Sequence, residues 1–208
     1  MGLSCLINFF FIEMNLTPYL EKGYNYSDYL KKIEDQLYDL EKTGDEKGFA
    51  KYYSMNLKRI ERLDKSFELN ENQKNKLKEI NPDFQLLIIT EGWCGDAAQV
   101  LPVVNKMMEE IGIEQRFVFR DENPELMDEY LTDGARSIPI LIGVDSSGKE
   151  IFRYGPRPKE GMEMLKKHKA NPEIYTDEEF HKDLQVWYNQ NKGESIFNEL
   201  SELLIEIL

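Results

Sequence analysis

The strongest constraint on the fold is a short apolar run, FQLLIIT, at residues 84–90. Pro82 precedes this run and Gly92 follows it, so residues that interrupt regular structure stand at both ends. A continuous apolar run of this length is typical of a strand that is buried on both faces of a sheet. The sequence therefore predicts a buried strand in the middle of the chain.

Strand and helix patterns alternate after this strand. The predicted elements are a helix ending at Gly112, a strand at residues 115–121, a helix at 124–131, and strands at 138–144 and 150–154. A Ser-Ser-Gly turn joins the last two strands as a hairpin. The order β-α-β-α-β-β predicts an α/β core with a central sheet flanked by helices.

Amphipathic patterns on both sides of this core predict additional helices, because apolar residues recur there at three- and four-residue steps. The ranges are 26–43, 49–63 and 70–80 before the core, and 158–169, 177–191 and 194–208 after it. Ser27 or Asp28 is expected to cap the first of them, and Thr176 with Glu179 forms a capping-box pattern. The aromatic residues of the early helices either pack in the core or line a ligand groove, and packing is the more common use.

A chain of 208 residues is long for one compact domain and short for two. We expect a helical N-terminal extension at residues 14–82 packed on the core, the core itself at 83–170, and a C-terminal helical extension at 171–208. Residues 1–13 are expected to be non-native or upstream sequence. A signal peptide is the weaker interpretation of this apolar stretch, because it lacks a basic segment and a cleavage site.

Charge and cysteine content exclude several classes of function. The net charge of −13 and a sequence pI near 4.7 oppose binding to nucleic acid or to an anionic membrane surface, and we expect no stable membrane insertion. Two cysteines and two histidines are too few for a zinc cluster or a disulfide framework. We therefore expect no metal or other cofactor, a reducing compartment and a cytoplasmic location.

The turn after the buried strand carries a resemblance to a known family. Trp93, Cys94, Gly95, Asp96 and Ala97 follow the strand as W-C-G-D-A, Pro102 lies eight residues beyond the cysteine, and Ile138-Pro139 begins a later strand. These motifs and the order of elements resemble the thioredoxin family over about residues 83–170. The resemblance implies a thioredoxin-like fold with a central mixed sheet, to which the N-terminal and C-terminal helices are added.

The chemistry of Cys94 follows from its position at the start of a helix. Unpaired backbone N–H groups and the positive end of the helix dipole both favour thiolate over thiol there. We therefore expect Cys94 to be acidified and partly exposed, with Trp93 as an apolar wall and with Gly95 leaving room for a partner. Asp96 has two opposing effects, because its charge disfavours the thiolate while it complements the helix dipole.

Two departures from the thioredoxin pattern weaken the case for dithiol chemistry. The resemblance implies a second, resolving cysteine three residues after Cys94, where this chain has Ala97, and a buried acid six residues before it, where the chain has Ile88. It also implies that Pro139 is a cis-proline opposite Cys94 and that the backbone of Ile138 pairs with an extended substrate.

Two functions remain open from the sequence. The first is a monothiol thioredoxin-like protein, a thiol-disulfide oxidoreductase without a resolving cysteine, in which Cys94 forms mixed disulfides with a protein disulfide or a low-molecular-weight thiol. The alternative is a redox-inactive thioredoxin-fold module that binds a protein. Arg136 and Arg153 either face an anionic substrate or are solvated partners of acidic residues, while His168 and His181 are assigned no role.

Overall fold

The computed structural model describes residues 14–46, 48–80 and 83–207. The interpretation of residues 1–13 as upstream sequence lies outside the described residues. The strands are β1 (Gln85–Thr90), β2 (Gln115–Phe119), β3 (Ile140–Val144) and β4 (Glu150–Tyr154). The helices are α1 (Thr17–Lys22), α2 (Tyr26–Thr43), α3 (Ala50–Ser66), α4 (Glu71–Leu77), α5 (Ala97–Ile111), α6 (Pro124–Glu129), α7 (Lys159–Ala170), α8 (Asp177–Asn191) and α9 (Glu194–Ile207).

The four strands form one mixed sheet in the order β2-β1-β3-β4. Strand β1 is parallel to β2 and antiparallel to β3, and β3 pairs with β4 as an antiparallel hairpin. The central residues of β1, from Leu86 to Ile89, are fully buried. The predicted α/β fold with a mixed central sheet is therefore confirmed, as is the buried strand that follows Pro82.

Several element ends differ from the predictions for local reasons. The third strand begins at Ile140 rather than residue 138, because the cis Ile138–Pro139 bond lies just before it and proline has no N–H for the sheet. Asn25 caps α2 by accepting a hydrogen bond from the Asp28 backbone N–H, so the expectation of Ser27 or Asp28 as the cap is wrong. The capping box of α8 is present as predicted.

The N-terminal helices are fixed to the sheet by aromatic packing. Tyr29 of α2 stacks on Phe117 of β2 with ring centroids 4.8 Å apart, and its hydroxyl lies 3.3 Å from the Thr90 hydroxyl. Tyr24 and Phe117 exchange backbone hydrogen bonds in both directions, as an added bridge at the sheet edge. Tyr24, Tyr26 and Tyr29 are therefore packing residues, whereas Phe49 and Tyr52 of the same predicted group line the cleft described below.

The C-terminal helices belong to the same hydrophobic cluster as the sheet. Helix α8 buries Phe180, Leu184 and Tyr188, and α9 buries an apolar stripe that includes Phe197 and Leu204. Side chains from both chain ends thus share one continuous core with the strands. In the described part of the chain, no helix combines the length and the apolar character needed to cross a membrane.

We predict that a fragment of residues 81–208 is much less stable than the full chain. Removing α1–α4 exposes Phe117 and neighbouring core side chains to water, and each such side chain contributes about 1.5–3 kcal/mol. The melting temperature, followed by circular dichroism, is expected to fall by at least about 10 °C. Equal melting of the fragment and the full chain would show that the N-terminal helices are an independent unit.

A matched pair of substitutions in α2 tests the same packing without truncating the chain. Tyr29→Ala removes a buried ring and is expected to cost about 3–5 kcal/mol of unfolding free energy. Tyr38→Ala, in the same helix at a site that is 62% exposed, is expected to change it by less than about 0.5 kcal/mol.

Candidate functional site

The site is built around the turn that joins β1 to α5. Cys94 lies in this turn, one helical turn before the regular part of α5, and the cis peptide bond between Ile138 and Pro139 lies next to it. The Cys94 thiol donates to the Ile138 carbonyl oxygen at 3.3 Å, and the Ala97 backbone N–H points at the sulfur from 3.4 Å. The predicted cis bond and its place beside the cysteine are therefore confirmed. Gly155–Pro156 is a second cis bond, which the sequence did not indicate.

Cys94 is more buried and less acidic than its position at a helix start suggests. Only 6% of the residue is exposed. Burial first, and the nearby Asp96 carboxylate second, raise the pKa of the thiol to about 12, although the Ala97 and Asp96 backbone N–H groups oppose this. The expectation of an acidified, partly exposed thiol is wrong, because loss of solvent outweighs the helix start.

Asp96 is buried and makes two side-chain contacts. Its Oδ2 lies 2.7 Å from a guanidinium nitrogen of Arg157, and its Oδ1 accepts a hydrogen bond from the Tyr188 hydroxyl at 2.9 Å. It makes no side-chain cap to α5. Of its two possible effects on Cys94, the charge effect is the one that raises the thiol pKa.

Trp93 and Gly95 flank Cys94 in the turn, and each contacts a different part of the chain. The Trp93 ring stacks on Phe49, with ring centroids 5.6 Å apart. The guanidinium of Arg120 lies over the same Trp93 ring, 4.6 Å from its centroid. Gly95 lies against Arg59 of α3, since a Cβ at position 95 would be 3.3 Å from Arg59 Nη1. Trp93 thus lines the same cleft as Cys94, while the space beside Gly95, expected to leave room for a partner, holds a cation.

These groups surround a cleft of about 580 Å³ with Cys94 among its lining residues. Its lining comes from six segments of the chain. They are Phe49, Tyr52, Met55, Asn56 and Arg59 in and before α3; Trp93–Asp96 in the turn; Arg120 after β2; Arg136–Ile138 before β3; Arg157 after β4; and Asp177, His181, Leu184, Gln185 and Tyr188 of α8. The two added helices α3 and α8 therefore enclose the cysteine turn.

The sequence indicated the residues of the cysteine turn but not most of the other residues that line the cleft. Arg136 lines the cleft and also pairs with Asp128, while Arg153 pairs with Glu150 and does not line the cleft. His181, which had no assigned role, lines the cleft as well.

The contribution of α3 to the cleft was likewise not indicated by the sequence, which shows only an amphipathic pattern there. Asn56 is buried and donates from its side-chain amide to the Gly92 carbonyl oxygen at 3.0 Å, which holds α3 against the turn. The Asn56 side-chain oxygen in turn accepts from Arg59 at 3.0 Å. The one sign of this contact in the sequence is that Asn56, a polar residue, stands on the apolar face of the helix.

The acid and the second thiol of a dithiol site are absent from their expected positions. Ile88 is fully buried in β1, and Ala97 is buried at the first position of α5. A different acid, Glu91, is buried in the turn, where its Oε1 accepts from the Asp121 backbone N–H at 2.9 Å. Burial raises the pKa of Glu91 to about 7.

The fold and this site define a thioredoxin-like protein. The chain belongs to the thioredoxin family, because a thioredoxin family model matches residues 44–171, more than half of its length. The match begins in the added helical region before β1 and ends after α7.

Two solved structures share the fold at low sequence identity. One is a protein of unknown function from Pseudomonas aeruginosa, with a TM-score of 0.60 and 13% identity over 93% of this chain and 98% of that one. The other is an HIV epitope-scaffold, with a TM-score of 0.61 and 14% identity over the same shares. No curated protein matches the chain. At these identities the likeness shows the fold alone.

We predict that alkylation of Cys94 by iodoacetamide accelerates steadily with pH, in a Cys5→Ser background that leaves one thiol. Because the pKa is raised, the rate is expected to increase about tenfold per pH unit through pH 9, where an ordinary thiol approaches its plateau. A plateau below about pH 8 would contradict the dominance of burial.

The Asp96→Asn substitution tests the charge contribution. It removes a neighbouring negative charge and is expected to raise the alkylation rate at a fixed pH. Asp177→Asn is the matched control, because this carboxylate also lines the cleft but is 76% exposed, so water screens it.

Proposed function

We propose that this protein forms and exchanges mixed disulfides through Cys94. The observation that carries the proposal is the position of the thiol, which lies in a cleft between the first turn of α5 and the Ile138 carbonyl. A sulfur that enters this cleft meets Cys94 next to backbone groups that hold it in place. No other described cysteine is available to take part.

The chemistry requires two exchange steps with external thiols. In the first, the Cys94 thiolate attacks a substrate disulfide, forms a bond to one sulfur and releases the other as a thiolate. In the second, an incoming thiolate attacks the mixed disulfide and frees Cys94. Because residue 97 is alanine, the second thiol comes from a low-molecular-weight thiol or from another protein. A reducing compartment such as the cytoplasm supplies such thiols.

The raised pKa of Cys94 sets the rate of the first step. With a pKa of about 12, only a small fraction of Cys94 is thiolate at neutral pH, so exchange is slow unless a ligand changes the surroundings of the sulfur. The Ala97 N–H and the nearby Arg157 cation both favour the thiolate, and they are the groups that stabilise it once it forms.

A second function is a redox-inactive module in which the same cleft binds a partner. The buried, protonated state of the thiol favours this function, since structural cysteines are inert for that reason. The two functions differ in one observable, which is whether Cys94 forms a covalent bond to a disulfide reagent.

Trapping of the mixed disulfide distinguishes them. The Cys5→Ser protein is incubated with oxidised glutathione at pH 8 and examined by intact mass spectrometry, with the Cys5→Ser/Cys94→Ser double variant as the control. We expect a gain of one glutathionyl group on the first protein and none on the second. An unmodified Cys94 in folded protein would reject the exchange function and leave the binding module.

We predict that Ala97→Cys restores a second sulfur within reach of Cys94. The Ala97 N–H lies 3.4 Å from the Cys94 sulfur, and the substitution costs at most about 0.7 kcal/mol in helix propensity. The variant is expected to form an internal disulfide and to reduce insulin with dithiothreitol faster than the native protein, because the second step becomes intramolecular.

The control for this variant is Ala97→Ser, which adds an atom of similar position without a thiol and is expected to stay inactive. The absence of the acid at Ile88 should keep the rate of Ala97→Cys below that of an ordinary thioredoxin. If the two sulfurs remain reduced under mild oxidation, the turn does not hold them in bonding geometry.

A further inference from the structure

The cleft beside Cys94 is rich in arginine although the protein as a whole is acidic. The chain carries a net charge of −13, yet four arginines line the cleft against two carboxylates, Asp96 and Asp177. The arginines come from α3, from the segment after β2, from the segment before β3 and from the segment after β4: Arg59, Arg120, Arg136 and Arg157. Cations from four distant segments converge on one small volume.

Three of these arginines already have carboxylate partners. Arg157 pairs with Asp96 at 2.7 Å, and Arg136 pairs with Asp128 through two nitrogens at 2.7 and 2.8 Å. Arg120 pairs with Asp121 at 2.8 Å. Each of these three guanidinium groups therefore already has a carboxylate as its ion-pair partner.

Arg59 differs from the other three. Within residues 14–46, 48–80 and 83–207, no carboxylate lies within ion-pair distance of its guanidinium, whose hydrogen bond goes to the neutral Asn56 amide oxygen at 3.0 Å. The side chain is partly buried, and burial lowers the pKa of Arg59. Asp96 favours the charged form of Arg59, but the two Asp96 oxygens already contact Arg157 and Tyr188. A partly desolvated cation whose own donors reach no carboxylate gains from a carboxylate that a ligand supplies.

The cleft has the size and surface of a small-molecule site. Its volume of about 580 Å³ lies inside the usual range of about 300–1,000 Å³ for such sites. Trp93, Phe49 and Leu184 give it apolar surface beside the arginines. Helices α3 and α8 stand on its two sides, and Arg62 donates to Asn189 at 2.9 Å to join them. A cleft of this volume with helices on two sides suits a small ligand better than an extended protein strand.

We propose that the cleft binds a small organic molecule with carboxylate groups, of about tripeptide size, and that Arg59 binds one of its carboxylates. The bound molecule lies with its body against Trp93 and next to Gly95 and Cys94. The identification of this ligand as a thiol or disulfide rests on the exchange function proposed above, whereas the binding of the carboxylate does not. Arg59 is in this respect a binding residue and takes no part in covalent chemistry.

The test uses a probe that cannot react with Cys94. Binding of S-methylglutathione, a tripeptide thioether with two carboxylates, is measured by isothermal titration calorimetry on the full chain. We expect a Kd below about 1 mM, and at least about tenfold weaker binding to the Arg59→Gln variant. Arg153→Gln is the matched control, because Arg153 lies outside the cleft and pairs with Glu150; its affinity should equal that of the native protein.

The diester of the same probe tests the charge on the native protein without any substitution. It has the same body with neutral ester groups, and we expect it to bind at least about tenfold more weakly than the acid. No binding of the acid, equal binding of acid and diester, or full affinity in a folded Arg59→Gln variant would each overturn the proposal. Because the probe is a thioether, such a failure is independent of whether Cys94 exchanges disulfides.

Discussion

The buried carboxylate of Asp96 organises the site, because a charge removed from water must be paired with another charge or with hydrogen-bond donors. Arg157, between β4 and α7, supplies the cation, and Tyr188 of α8 supplies a hydroxyl donor. Satisfying this one group therefore brings the segment after β4 and the middle of α8 to the cysteine turn. The same contact holds α8 as a wall of the cleft together with the buried side chains of Phe180 and Leu184.

The state of Cys94 results from two opposing effects of very different size. A helix start favours an anion by about 0.3–1 kcal/mol, or about 2 kcal/mol in favourable geometry, which corresponds to little more than one pKa unit. Full burial shifts a pKa by as much as about 3–5 units in the other direction. The closed surroundings of the sulfur, 6% exposed and close to Asp96, therefore decide that the thiol stays protonated.

The added helices change what the thioredoxin-like core presents to its surroundings. Asn56 and Arg59 of α3 approach the turn from one side, and Tyr188 and Leu184 of α8 approach from the other. Between them the groove beside the Ile138 carbonyl becomes a cleft with walls on two sides and several guanidinium groups in its lining. Under either proposed function, size and charge are the properties by which such a cleft would select a ligand.

The sequence by itself determined the elements whose signal is local. The apolar run of β1, the helical periods of α2, α3 and α5, and the turn with Cys94 were all predicted, because periodicity and turn residues act over a few positions. The cis bond at Pro139 came from the resemblance to the thioredoxin family. The presence of a short element such as α1, and the residues at which β3 begins and ends, depend on tertiary contacts that local sequence patterns do not reveal.

Only the tertiary structure decided what surrounds the thiol. An amphipathic pattern shows that a helix buries one face but not which surface covers that face, so the approach of Arg59 and Tyr188 to Cys94 could not be predicted. Tyr188 is 92 residues from the carboxylate to which it donates. The sign of the Cys94 pKa shift was missed for the same reason, since desolvation depends on atoms brought together from distant parts of the chain.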